Sequence, residues 1–304
     1  MSKFLSYEED FLASLKKQEE EFKKKTERAG QVLLEIKDIE ESITPLMWKV
    51  FYIIVSNGLS QEKEIKSFVV RYLIDAEMSC YSKDAIYRAI KNLAVLRIFR
   101  VVPISTGIRT FHLLQLSYLG EMLYMRKFEK RPPESEMEKV ASNHASYTHG
   151  YMIEEAKNIL EQRRFCGRVT TDRITNKLVL PDGTVVIPDI IAGSGSNWQM
   201  FEVECGTHNN SDFYHKCDKL IKVKRHLHFI GSSRESVEKN LIPKIDSWIR
   251  TRKLENLQRF GFDISVYSMY DFKKGKCTYF YDMKSSEPVC NVKKSNRKGK
   301  KDEA

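Results

Sequence analysis

The chain has 304 residues, 41% hydrophobic and 30% charged, with 51 Lys and Arg against 41 Asp and Glu and a formal net charge of +10. The apolar content excludes a chain disordered throughout, and the length allows two domains of ordinary size. The basic balance points to a polyanionic partner, nucleic acid above all, and no apolar run approaches the roughly 20 residues of a membrane span. Six cysteines (Cys80, Cys166, Cys205, Cys217, Cys277, Cys290) form no CxxC pair. Without a signal peptide they read as reduced thiols in a cytoplasmic protein.

Residues 1–43 are highly charged, with apolar residues at alternating three- and four-residue spacing: Phe4, Phe11, Leu15, Phe22, Ala29, Val32, Ile36, Ile39 and Ile43. Gln18 and Lys25 interrupt this heptad seam. The stretch predicts a helical arm, either a coiled coil that joins two copies of the chain as a homodimer or a long helix folded against its own domain.

A second segment, 44–130, opens with Thr44-Pro45, a cap followed by proline at the first helical position. The apolar helix Pro45–Asn57 stops at Asn57-Gly58. Ser60 is expected to cap a second helix running to about Leu73. Ser82 caps a third, whose buried stripe is Ile86, Ile90, Leu93 and Leu96. Two apolar runs, Ile98–Ile104 and Arg109–Leu116, joined by Ser105-Thr106-Gly107, make a hairpin, and a further helix begins near LSYLGEMLY (116–124). Three helices and a hairpin in this order are those of a winged helix-turn-helix. On that reading the third helix enters a DNA groove with Lys83, Tyr87, Arg88 and Lys91, flanked by Arg97, Arg100 and Arg109. The alternative is a winged helix used for protein contacts.

Residues 131–146, with Pro132-Pro133, read as a linker. The following α/β domain, 147–283, has helix 149–164, strand GRVTTDR, helix 211–224, strand HLHFI (226–230), a long helix 233–256 and strands 264–269 and 277–282. Together these predict a central mixed sheet. The tail 284–304, rich in lysine from Asn291, is expected to be disordered and to add salt-dependent phosphate affinity.

The chemistry concentrates in Thr184–Gly206. The apolar run Val185–Ile187 ends in Pro188-Asp189. A turn-rich segment, Gly193–Asn197, leads into Phe201-Glu202-Val203-Glu204-Cys205. Period-two alternation puts Glu202 and Glu204 on one face and Phe201, Val203 and Cys205 on the other. A hairpin would bring Asp189 close to both glutamates, and like charges at short range call for a divalent cation. The bland alternative is a solvated strand face. Cys205, His208, His215 and Cys217 form a weaker, irregularly spaced zinc set. His226 and His228 share a strand face, and His149 either caps its helix or touches the site.

A helix bearing Glu154, then Pro188-Asp189, then Glu202 on a strand, then a helix resembles the PD-(D/E)XK nucleases over roughly residues 147–270. The resemblance implies that Asp189 and Glu202 bind Mg2+ or Mn2+, that Glu154 or Glu155 completes the site, and that a strand lysine positions or activates the attacking water. Glu204 stands at that lysine position, as it does in some type II restriction enzymes. At 100° per residue, Phe213, Cys217, Leu220 and Lys224 share the buried side of the following helix, Lys216 lies at its edge, and Lys219 and Lys222 point away. Lys216 is therefore the lysine placed to reach back to the sheet. A winged helix followed by this core, with EVECGTHNN before a lysine-bearing helix, also resembles the replication-relaxation family of plasmids and conjugative elements. That likeness implies DNA and other mobile-element proteins as partners. The expected activity is a metal-dependent DNA endonuclease or nicking enzyme; the alternatives are a non-catalytic DNA-binding accessory protein and a regulator whose second domain mediates assembly.

Overall fold

A computed structural model of the protein describes residues 34–76, 81–144, 146–163, 167–206, 208–252, 262–282 and 289–290. Most of the predicted arm, 1–33, and the lysine-rich tail from Asn291 lie outside them. The chain divides into two compact units, Met1–Val102 with His112–Met137, and Pro103–Phe111 with Glu138–Ala304.

The first unit is helical. Helix α1 (34–42) buries Ile36 and Ile39, and Ile43 follows them into the unit's own core. Here the arm's seam is satisfied within the chain. Thr44 caps α2 (Pro45–Ser56), accepting from the Met47 N–H at 3.3 Å, with Pro45 in the first turn. Helix α3 (Glu62–Val70) continues through a π-helical turn, Arg71–Ala76. Ser60 does not cap it: the Ser60 hydroxyl is buried and accepts from the Met137 N–H at 3.1 Å. The Ser60 carbonyl accepts from the Leu114 N–H at 2.8 Å, and Gln61 bridges Leu113. Ser82 caps α4 (Lys83–Val95) as its sequence predicts, and Ile86, Ala89, Ile90 and Leu93 are buried. Strands β1 (Phe99–Ser105) and β2 (Thr110–Leu116) form a two-stranded sheet. Ser117 then caps α5 (Tyr118–Phe128). Phe51 lies edge-on to Phe99 and Tyr124 at the centre of the core. Within the predicted linker, Glu136–Asn143 form helix α6. It is started by the Glu136 N–H donating to the Gly58 carbonyl at 2.9 Å and by burial of Met137.

The second unit is built on a seven-stranded mixed sheet, in the order β11-β10-β9-β8-β7-β6-β3. The strands are β3 (Arg168–Thr170), β6 (Ile190–Gly193), β7 (Gln199–Glu204), β8 (His226–Gly231), β9 (Asp263–Ser268), β10 (Tyr279–Asp282) and β11 (Val289–Cys290). Strands β7, β8 and β9 are parallel, and the other pairs are antiparallel. Strand β11 falls in the tail expected to be disordered. One face carries α7 (Tyr147–Gln162) and the short α11 (Met269–Lys273), packing Met152, Ile153, Ala156 and Phe272 against Phe201, Val203 and Ile230. The other carries α8 (Asn210–Leu220) and α10 (Ile242–Thr251), packing Phe213, Cys217 and Trp248 against Phe229, Ile264 and Val266. The predicted helix 233–256 is interrupted: α9 (Arg234–Ser236) passes through a π-helical turn, Val237–Leu241, into α10. The run Val185–Val186 forms β5, which pairs with β4 (Leu178–Val179) in a separate small sheet. Asp189 therefore does not end that run but immediately precedes β6.

Candidate functional site

Strands β6 and β7 form an antiparallel hairpin through the 3-10 turn Gly195–Asn197, with Ile190 opposite Phe201. One step further along that register sets Asp189 beside Glu202, and the Val203 N–H donates to Asp189 Oδ2 at 2.9 Å. Alternation turns Glu202 and Glu204 toward α8, away from the face that buries Phe201 and Val203. They are not on a solvated face: only 2% and 3% of their surface is exposed. Helix α8 begins with Asn209 accepting from the Asp212 N–H, and its buried side of Phe213, Cys217 and Leu220 leaves Lys216 at the edge. The Lys216 ammonium lies 2.5 Å from Glu202 Oε2, 3.0 Å from Glu204 Oε1 and 3.8 Å from Asp189 Oδ2.

The surroundings set the charges. Burial disfavours the Asp189 carboxylate, but Lys216, His149 and the Val203 N–H outweigh it and hold Asp189 well below the usual range. Burial pushes Glu202 well above it, and Lys216 does not compensate. Glu202 Oε2 is paired with the Lys216 ammonium, while Glu202 Oε1 is buried with no partner. Glu204 is also disfavoured by burial, yet Lys216 and His208 bring it below the ordinary value. The lysine pays a desolvation cost that the three acids outweigh, so its charge is secure.

Two histidines complete the cluster. His149, in the first turn of α7, places Nε2 3.0 Å from the Val203 carbonyl and 3.3 Å from Asp189 Oδ2. A carbonyl only accepts, so Nε2 carries the hydrogen. His208 Nδ1 lies 3.0 Å from Glu204 Oε2, and that bond raises the His208 pKa. A third residue acts from behind. Buried Asn176 donates Nδ2 to the carbonyls of Thr170 and Pro188, each at 3.1 Å, and of Asp189 at 3.4 Å, which fixes the Pro-Asp turn. A cavity of about 210 Å³ opens on this cluster, lined by His144, His149, Thr171, Arg173, Asp189 and Lys216 among others.

The expected acid on α7 is not in the cluster. Glu154 accepts from the Thr171 hydroxyl at 3.4 Å and lies 3.8 Å from Lys157, while Glu155 pairs with Arg109 at 2.7 Å. The helix contributes His149 instead, one turn earlier. Arg109, expected beside a DNA groove, is thus engaged within the second unit. The zinc set does not assemble: Cys217 is in the core, the Cys205 thiol faces Met152, and His208 is held by Glu204. Among the described residues no three His, Cys, Asp or Glu side chains converge as a ready metal site. At the acid cluster the centre is taken by the Lys216 ammonium.

In the first unit, Lys83, Tyr87, Arg88 and Lys91 all lie on the exposed side of α4. Tyr87, Arg88 and Lys91 line a groove of about 620 Å³ with Lys66, Glu62 and Asp84. Lys66, which the sequence reading missed, sits over the Tyr87 ring at 5.4 Å and pairs with Glu62 at 2.6 Å. Arg97 and Arg100 are exposed on the turn after α4 and on β1.

Comparison of the chain with protein-family models, with curated proteins and with solved structures finds no match.

Proposed function

We propose that the protein binds DNA through a winged helix-turn-helix in its first unit and cuts or nicks it at a PD-(D/E)XK-like site in its second, in the replication, transfer or transposition of a mobile element. The observation that carries this reading is the meeting of Asp189, Glu202 and Glu204 with Lys216, from a hairpin and the helix that follows it. A buried acid cluster costs stability, and Glu202, buried and with Oε1 left unpartnered, costs the most. Such an arrangement makes sense where charge is to be handled.

The donor set fits a hard divalent cation such as Mg2+ or Mn2+: carboxylate oxygens only, one of them without a hydrogen-bond partner. Asp189 and Glu202 would hold it. A bound cation supplies a water of lowered pKa and neutralises charge on the phosphate. The chain's own groups do the rest. Lys216 brings positive charge to the acids and, released from Glu202, can face a phosphate oxygen. Glu204, kept ionised by Lys216 and His208, is a proton acceptor beside it. His149 holds Asp189 and the Val203 carbonyl in register.

Incubation of supercoiled plasmid with Mg2+ or Mn2+ tests the proposal. The wild-type chain is expected to give nicked or linear product and Asp189→Ala to lose at least 100-fold in rate, the order expected for a group that organises transition-state charge. The second reading, a non-catalytic DNA-binding protein on a degenerate nuclease fold, is favoured by the glutamate at position 204 where a strand lysine is usual. Plasmid bound but left intact by both chains would select it.

A further inference from the structure

Residues 171–177 form a hydrogen-bonded loop between β3 and β4 that presents an apolar side chain to solvent. Ile174 is 86% exposed at its tip. Asp172 holds the tip from inside: its carboxylate accepts from the Ile174 N–H at 3.2 Å, the Thr175 N–H at 3.1 Å and the Thr175 hydroxyl. The Asn176 N–H closes the turn on the Asp172 carbonyl at 2.8 Å, and the Asn176 side chain ties the loop to Pro188 and Asp189. These bonds hold the loop at its base and tip with Ile174 on the outside.

Single exposed apolar residues are ordinary. This one differs in its setting. The preceding residue, Arg173, lines the cavity that contains Asp189, His149 and Lys216. Its guanidinium donates to the Asn143 carbonyl at 3.4 Å and has no carboxylate partner among the described residues. Arg168 and Lys177 are exposed to either side along the chain. The one acid of the loop, Asp172, has its oxygens committed to the loop's own donors. Arg168 faces Asp172 electrostatically and Glu154 accepts from the Thr171 hydroxyl at the foot of the loop, so the cation left for a ligand is Arg173, at the cavity mouth beside Ile174. A cation next to an apolar point is complementary to a nucleic-acid strand: phosphate outside, apolar base face beside it.

We propose that loop 171–177 is a nucleic-acid wedge, in which Arg173 takes a backbone phosphate at the mouth of the cavity and Ile174 inserts against a base of the same strand, unstacking it beside Asp189. This rests on the reading of the second unit as a nucleic-acid site, but not on cleavage. Its partner is the strand itself, single or locally opened, because a fixed side chain cannot reach between bases that stay stacked.

The test uses the full chain with duplex oligonucleotides, some with a central unpaired stretch, carrying 2-aminopurine at successive positions, and EDTA present so that no cutting occurs. Wild-type protein is expected to raise the fluorescence several-fold at one position. Ile174→Ala is expected to abolish that rise while weakening binding about three- to tenfold, and Ile174→Phe to retain it. Arg173→Gln is expected to lower the salt slope of binding by about one while keeping the rise at saturation. A wild-type complex with no rise at any position, a full rise in Ile174→Ala, or no DNA binding at all overturns the wedge. So does self-association that disappears in Ile174→Ala without any base signal, which would assign the tip to a protein contact. An Ile174-dependent signal together with an uncut plasmid in Mg2+ or Mn2+ would leave the wedge standing and remove the nuclease; the reverse pair would do the opposite.

Discussion

At the scale of single residues, burial decides which groups carry charge. Lys216 keeps its proton because three acids surround it, Asp189 keeps its charge because of Lys216 and His149, and Glu202 bears the remaining cost. The opposite case is His228, on β8 and remote in sequence from the cluster. Its ring is buried, stacked on His226 at 4.1 Å and close to Phe201 at 4.7 Å. Burial first, and then His226, lowers its pKa from 6.5 to about 3. Between those values the unfolded chain takes up a proton that the folded chain refuses, so stability rises with pH across the window and is lost as pH falls. At pH 4.5 this residue is expected to cost about 2 to 3 kcal/mol relative to neutral pH. Denaturant unfolding of wild type and His228→Gln at pH 7 and pH 4.5 checks it: the acid loss should shrink by that amount in the variant, and equal losses would refute it. Asp189, Glu202, Glu204 and Lys216 were legible in the sequence because strand alternation and helical angle are local rules. For His149 the sequence leaves capping and the site as alternatives, it places His208 in a zinc set, and it does not single out Asn176, because their roles depend on partners brought in by the fold. The Val203 carbonyl lies 54 positions from His149, and the Asp189 carbonyl 13 from Asn176.

At the scale of elements, termini tell most. Helix α4 ends with the Arg97 N–H donating to the Ala94 carbonyl and the Ile98 N–H to the Leu93 carbonyl, each at 3.0 Å. Arg97 has φ of 58°, the left-handed conformation that glycine adopts without strain. Arginine there costs roughly 1 kcal/mol, so Arg97→Gly is expected to be about 0.5 to 1 kcal/mol more stable in thermal or denaturant unfolding. If Arg97 also meets a phosphate, the same variant binds DNA more weakly with a salt slope lower by about one. A change that destabilises the chain would show that the Arg97 side chain holds the turn. The caps at Thr44 and Ser82 and the hairpin between β1 and β2 were readable because each is set by a few adjacent residues. The Ser60 cap failed because Met137, 77 positions away, claims the hydroxyl. Helix α6 was hidden by its charged, proline-flanked composition, and the π-helical turn before α10 leaves no mark in apolar spacing.

At the scale of the molecule, the proposed DNA binding would divide the net charge of +10 between sequence-blind attraction and specific placement. On α4 the cations are arranged with two acids, Glu62 and Asp84, in the same groove. On the proposed reading, that combination would select where a phosphate sits rather than attract any polyanion. The double variant Lys83→Ala, Arg88→Ala is expected to weaken DNA binding and to reduce the slope of log affinity against log salt by about two. A slope unchanged from wild type would remove α4 from the interface.

The division of the chain carries a further consequence for how it can be inherited and dissected. Pro103–Phe111 lies in sequence within the first unit but belongs to the second. There Ile108 packs on the core of α7, Arg109 pairs with Glu155, and Phe111 sets its ring 5.2 Å from Tyr151. A single crossover between residues 112 and 137 would therefore deliver a second unit stripped of all three. Gene fusions that shuffle contiguous modules cannot separate the two halves cleanly. An autonomous version of the second unit calls for a permuted gene in which 103–111 is grafted onto 138–304.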